Sequence, residues 1–230
     1  MTRRSKSESG QAMLEFSIVT ISLAFLFAGA FTVGAMLNLA LQVSNVTRSA
    51  AVLMVRQVTD PSANLNLALS TNQQILIREA AGLGMAQSGS YLPSSTGNGA
   101  IFASKVILVG NNECAAGVSP TPNGVPPWST ATCANYGSYV FAYYVAIGNN
   151  TRWASVLGTP PSATIQDDGT ITAQNIATNT ALQVTTATMT GIITLQSSQY
   201  ALFAETYADV SSIAIFSVYK PPVIYYRTVT

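Results

Sequence analysis

The chain has 230 residues, two cysteines, no histidine and a formal net charge of +1. Charged residues are 8% of it, against about 25% in ordinary soluble domains, and Ser, Thr, Asn and Gln replace them in a pattern more common outside the cytosol. The missing histidine excludes Ser-His-Asp and Cys-His nucleophile systems and His-liganded zinc. The only basic cluster lies at the start, so nucleic acid is not an expected partner. No residue set asks for a cofactor or a metal.

Residues 1–10 are short, basic and polar, with Arg3, Arg4 and Lys6 against Glu8. Residues 11–59 contain no proline and predict one continuous helix. From Phe16 to Leu39 that helix is apolar on every side. At about 1.5 Å per residue it can cross a hydrocarbon core of about 30 Å. Basic residues before the span and none close behind it place the N-terminus on the cytoplasmic side. One residue breaks the pattern. Glu15 stands at the start of a stretch that then carries no charge from Phe16 to Thr47. A carboxylate at apolar depth costs roughly 2.5–3.5 kcal/mol on insertion scales. A carboxylate snorkelling to the cytoplasmic interface is the plainest account of it.

Beyond the span, Leu39, Val43, Val46, Ala50 and Leu53 repeat at spacings of four and three, with Asn38, Gln42, Asn45, Ser49 and Arg56 between them. This amphipathic stripe predicts packing on the protein's own domain or on a neighbouring helix. The helix should stop before Asp60-Pro61, because the residue before a proline is pushed out of helical conformation. Helical pattern returns at Thr71–Leu83.

From about residue 100 the signal becomes strand. FASKVILVG, SYVFAYYVAIG, GTITAQ, ALQVTTATMTGIITLQ, YALFAETYADV, IAIFSVY and VIYYRTVT are rich in β-branched and aromatic residues. The stretch Gly110–Tyr136 is too broken by Gly, Pro and Asn to predict regular structure, and it holds both cysteines. If the domain lies outside the cytoplasm, a Cys114–Cys133 disulfide closing this loop is the expected use; two buried thiols are the alternative. GLGMAQSG lacks dinucleotide-binding spacing, and QDDGT lacks the staggered oxygens of a calcium loop, so a loop and a turn are expected. Glu113, Glu205 and Asp209 are scattered carboxylates, so no enzyme is predicted. The fold class expected is α+β: a long transmembrane and amphipathic helix over 11–59, then an extracytoplasmic β-rich domain over 60–230.

The stretch Gly10-Gln11-Ala12-Met13-Leu14-Glu15-Phe16, behind a basic leader and ahead of an apolar span, resembles the processing site of type IV prepilins. Its Glu-Phe pair is similar to that of tight-adherence (Tad) pilins and pseudopilins. YALFAETYADVSSIAIF, with Glu205, Tyr207 and Asp209, and the closing PPVIYYRTVT are similar to the late strands of TadE-like proteins. The N-terminal likeness covers about a quarter of the chain, and the middle resembles no family. The chain is too long for a short major pilin, which points to the minor, TadE-like class. The resemblance implies a pilin-like fold and a leader of residues 1–10. It implies cleavage between Gly10 and Gln11 by a prepilin peptidase, with the hydrophobic helix retained. Cleavage would take side-chain charge from +1 to −1, since three positive residues and one negative leave. It assigns Glu15, with Phe16, to assembly, the carboxylate neutralising the new α-amine at Gln11. The implied partners are other pilins or pseudopilins, Tad-type assembly machinery and inner-membrane lipid. The implied place is the inner membrane, crossed once, with a surface pilus as a further destination. The competing reading is a single-pass anchored binding module that never enters a filament.

Overall fold

The computed structural model describes residues 6–59, 93–94, 97–118, 128–166, 169–209 and 223–229. The helix expected at 71–83, the strand IAIFSVY, the GLGMAQSG loop and both aspartates of QDDGT lie outside the described residues. The chain divides into two compact units, one taking residues 1–41 with 210–222, the other 42–209 with 223–230. The fold class is α+β.

Helix α1 runs unbroken over Lys6–Thr59 and contains a stretch, Gly10–Val55, long and apolar enough to cross a membrane. Up to Leu41 it carries exposed apolar side chains such as Phe16, Phe25, Phe27 and Phe31. The hydroxyls of Ser17, Thr20, Ser22 and Thr32 each donate to the carbonyl four residues back, at 2.7–2.9 Å. A helix in lipid must satisfy its polar groups internally, and these do.

The second unit is built on a sheet. Its strands are β1 (Pro93–Ser94), β2 (Gly99–Leu108), β3 (Tyr139–Asn149), β4 (Gln183–Val184), β5 (Tyr200–Ala208) and β6 (Ile224–Val229). The order is β1-β3-β2-β5-β6, with β4 also on β3. All pairings are antiparallel except the short β1–β3 pair. β2 lies at the centre and is buried along almost its whole length. A strand covered on both faces reads as a mostly apolar run, and GAIFASKVIL does, broken only at Ser104 and Lys105.

The two faces separate by parity. Phe102, Ala201 and Phe203 join the main core with Tyr144, Trp153, Leu157, Leu182 and Met189. Ala103 and Leu202 point the other way and pack with Met54 of α1. A register shift opposite Lys105/Val106 leaves Ala142 as the extra residue of β3. Because side chains alternate, one extra residue exchanges the faces of everything beyond it. That is how Tyr144 and Phe141, three apart, both reach the main core, where their rings meet edge to face at 5.7 Å.

The stripe read from the sequence is spent on this sheet. Val43, Val46 and Ala50 are buried, joined by Thr47, Ala51 and Met54, while Asn45 and Arg48 stay exposed. The Thr47 hydroxyl donates to the Val43 carbonyl at 2.8 Å and lies 2.7 Å from the Thr206 hydroxyl. The Thr47 hydroxyl, as donor, is thus shared between its own helix and the Thr206 hydroxyl of the sheet. Thr47 and Thr206 are each 0% exposed.

Two strand expectations are corrected. In GTITAQ, Thr170 and Ile171 form isolated bridges, and helix α3 then runs over Ala173–Thr178. In ALQVTTATMTGIITLQ only β4 pairs; a 3-10 turn precedes it and helix α4, Thr186–Thr190, follows. Local polar bonds outweigh strand propensity here. Thr172 accepts from the Asn175 amide, Asn179 from the Ala181 amide, and Thr190 donates to the Thr186 carbonyl. The cysteine stretch also contains regular structure: helix α2, Asn111–Gly117. Glu113 starts it by accepting from the Gly110 amide at 2.8 Å.

Thr47→Val should lower stability by about 1–3 kcal/mol, since it leaves the Thr206 hydroxyl buried without its hydrogen-bond partner. Thr47→Val with Thr206→Val should recover most of the loss. Urea unfolding followed by the fluorescence of Trp128 and Trp153, both buried, checks the pair.

Candidate functional site

The N-terminal site, Gly10 to Phe16, lies on two turns of α1. Gly10 and Gln11 sit inside the helix. Glycine costs about 1 kcal/mol more than alanine in a helix interior, so the peptide bond after it is a weak point of the ladder. A Cβ added at Gly10 would meet nothing within 4 Å. Glu15 lies one turn on, and its Oε1 accepts from the Gln11 side-chain amide at 3.1 Å. Phe16, beside it, is 71% exposed. The structure therefore brings Gln11 and Glu15 together by side chain and leaves Phe16 pointing outward.

The cysteine site is a closed staple. Cys114 of α2 and Cys133 are joined, with Cα atoms 5.8 Å apart across 19 residues of sequence. Closing a loop of that size supplies about 3 kcal/mol in the chain-entropy account. Asn135, fully buried, finishes the anchorage. Its Nδ2 donates to the carbonyls of Ile176 and Asn179 at 2.8 and 2.9 Å, and its Oδ1 accepts from Gln183 at 2.9 Å. α2 also crosses α3 closely: a Cβ at Gly117 would run into the Ala173 carbonyl and the Ala177 side chain. Glycine is needed there for approach.

The late carboxylates have separate duties. Glu205, on β5 and 1% exposed, accepts at Oε1 from the Tyr225 hydroxyl at 2.8 Å and at Oε2 from the Ser155 hydroxyl. Ser155 accepts in turn from the Leu157 amide at 3.1 Å. One carboxylate thus pins the 153–157 turn and the edge strand β6 to the sheet. Tyr207 and Tyr225, opposite each other in register, hold their rings 4.7 Å apart. Asp209 is paired with Arg152 at 2.5 Å, and Arg152 lies over the Trp153 ring at 4.7 Å. Sequence spacing gave no sign of Ser155 or Tyr225. They meet Glu205 only through strand register and chain return, 50 and 20 residues away. Among the described residues no group of three or more Cys, Asp or Glu could hold a metal ion.

No family model, no curated protein and no solved structure matches this chain. What the fold itself defines is a pilin-like architecture, a long apolar N-terminal helix packed against an antiparallel sheet. The membrane-capable helix, with a disulfide of the kind oxidising compartments sustain, supports a membrane anchor carrying an extracytoplasmic domain.

The tyrosines around Glu205 give the domain an alkaline limit. Burial pushes the Tyr144 phenol up to about 12, Thr159 opposes, and the Glu205 charge adds to the rise. Burial also raises Tyr207 and Tyr225. A raised phenol favours the protonated folded state. Its contribution is whole below the ordinary value of 10 and is lost as pH climbs through the folded value. For Tyr144 the two-unit gap corresponds to about 3 kcal/mol. Stability measured from pH 9 to 12 should fall, and Tyr144→Phe should flatten part of that slope.

Proposed function

We propose that this chain is a TadE-like minor pilin or pseudopilin, a structural subunit in assembly of a Tad-type pilus or a related secretion apparatus, without a catalytic role of its own. The observation that carries the reading is the Gly10…Glu15-Phe16 spacing on the first turns of an apolar helix whose outer half packs on an antiparallel sheet. The N-terminus faces the cytoplasm, a prepilin peptidase cuts after Gly10, and the sheet domain lies on the extracytoplasmic side. The partners are other pilins or pseudopilins, the assembly machinery and inner-membrane lipid. After cleavage Glu15 stands one turn from a new ammonium at Gln11. In a low-dielectric assembly a carboxylate–ammonium pair is attractive and an unpaired member is costly, so the pair also sets the stagger of neighbouring helices.

Membrane-purified protein should begin at Gln11 by N-terminal sequencing or intact mass. Gly10→Val should leave the full-length precursor. The open space around Gly10 makes that a processing effect and not a folding one. An intact Met1 or Thr2 terminus in the working apparatus would move the weight to an anchored binding module.

Glu15→Gln and Glu15→Ala should leave the sheet domain folded and the leader cleavable, yet reduce incorporation into pili or the basal complex. A carboxylate that merely snorkels predicts the opposite, since removing a charge from a membrane helix is neutral or favourable. Co-purification with partner pilins, normalised to protein level, reads the difference.

A further inference from the structure

Processing after Gly10 creates a chemical liability specific to this chain, because the new terminal residue is glutamine. The inference rests on the processing reading above. A free α-amine on glutamine can attack the Cδ of its own side chain. A carbon–nitrogen bond forms, closing a five-membered lactam. The bond from Cδ to the carboxamide nitrogen breaks, and that nitrogen leaves as ammonia with a proton from the amine. No oxidant or co-reactant is required. The product has no ammonium, so it would remove the charge that Glu15 is there to meet.

The geometry at Gln11 opposes that reaction. Its carboxamide nitrogen is held 3.1 Å from Glu15 Oε1, one turn toward the C-terminal end of the helix. The α-nitrogen of Gln11 lies on the opposite, N-terminal side of the residue. Lactam closure needs the side chain folded back over that nitrogen, and a carboxamide bonded to Glu15 is drawn away from it. The nearby hydroxyls do not compete for the carboxylate, since Ser17, Thr20 and Ser22 donate to backbone carbonyls. We propose that Glu15 is a positioning residue for Gln11, holding its carboxamide so that the mature terminus stays an open, charged amine.

The test uses mature full-length protein purified from membranes, wild type beside Glu15→Ala and Glu15→Gln, incubated in detergent or lipid at neutral pH. N-terminal peptide mass reads cyclisation as the loss of one ammonia, and an amine-reactive label reads the open terminus. The wild type should stay open and labelled. Glu15→Ala should accumulate the blocked lactam several-fold faster. Glu15→Gln, which keeps an acceptor oxygen, should lie between them. Equal cyclisation in wild type and Glu15→Ala, or a wild type already blocked on isolation, overturns the proposal while leaving cleavage after Gly10 intact. A terminus at Met1 or Thr2 overturns cleavage and this proposal together.

Discussion

A sheet whose central strand is buried on both faces cannot stand in water on one layer. β2 is such a strand, and the rest of the domain follows from covering it twice. One cover is the main core under the 150–195 excursion. The other is the outer half of α1, whose Met54 packs on Ala103 and Leu202. Ala50 and Ala51 of the helix and Ala103, Ala204 and Ala208 of the sheet are all buried. At such buried positions larger side chains would cost about 1–3 kcal/mol through overpacking. On this side two threonine hydroxyls also meet, Thr47 and Thr206, at 2.7 Å. A helix usually seats on a sheet by apolar contact alone; here one polar pair adds a preferred register.

Closure of the sheet edges is uneven. The outer side of β3 is met by short pieces in succession: β1 at Gly148, the Gly169–Ile171 stretch at 142–144, and β4 at Tyr139–Val140. Short, interrupted pairing of this kind blunts a strand edge against unwanted addition. The opposite end of the sheet is treated differently. β6 is held to β5 by its ladder and by the side-chain bond from Tyr225 to the buried Glu205. Glu205 therefore stands at the junction of edge strand, returning turn and core. A carboxylate there is costly to bury, and two hydroxyl donors with the right reach are what make it tolerable.

The long helix and the principal strands were legible because their periods are long and uniform. An unbroken apolar run and a four–three stripe have few alternative readings. FASKVILVG, SYVFAYYVAIG and YALFAETYADV fall on β2, β3 and β5 for the same reason. Threonine-rich segments were not legible. Thr172, Thr185 and Thr190 carry strand propensity in their branched carbons and helix-capping capacity in their hydroxyls. Which one wins depends on whether a neighbouring strand offers a ladder, and that is a tertiary fact. α2 was hidden by its own brevity: seven residues between a glycine and a broken loop give no period to count. The Cys114–Cys133 pair was legible as an expectation only, since two thiols determine a pairing but not a compartment. The partners of Glu205 were beyond reach, because strand register places them.

The structure also divides labour along α1 in a way the sequence left open. The stripe from Val43 to Met54 is consumed by the protein's own sheet, so that face is not on offer to a neighbouring helix. Within the apolar half, the hydroxyls donate to the helix's own carbonyls, so their protons are not offered to a neighbouring helix. Apolar packing remains, and it is poorly directional in lipid. On the proposed reading, directional information for assembly is thus concentrated at Gln11 and Glu15. The remainder of the span supplies close approach through Ala24, Ala28, Gly29, Ala30 and Gly34. On that reading a single carboxylate carries the burden because no charged residue follows it from Phe16 to Thr47. Where few polar groups compete, one misplaced charge outweighs many well-placed methyl contacts.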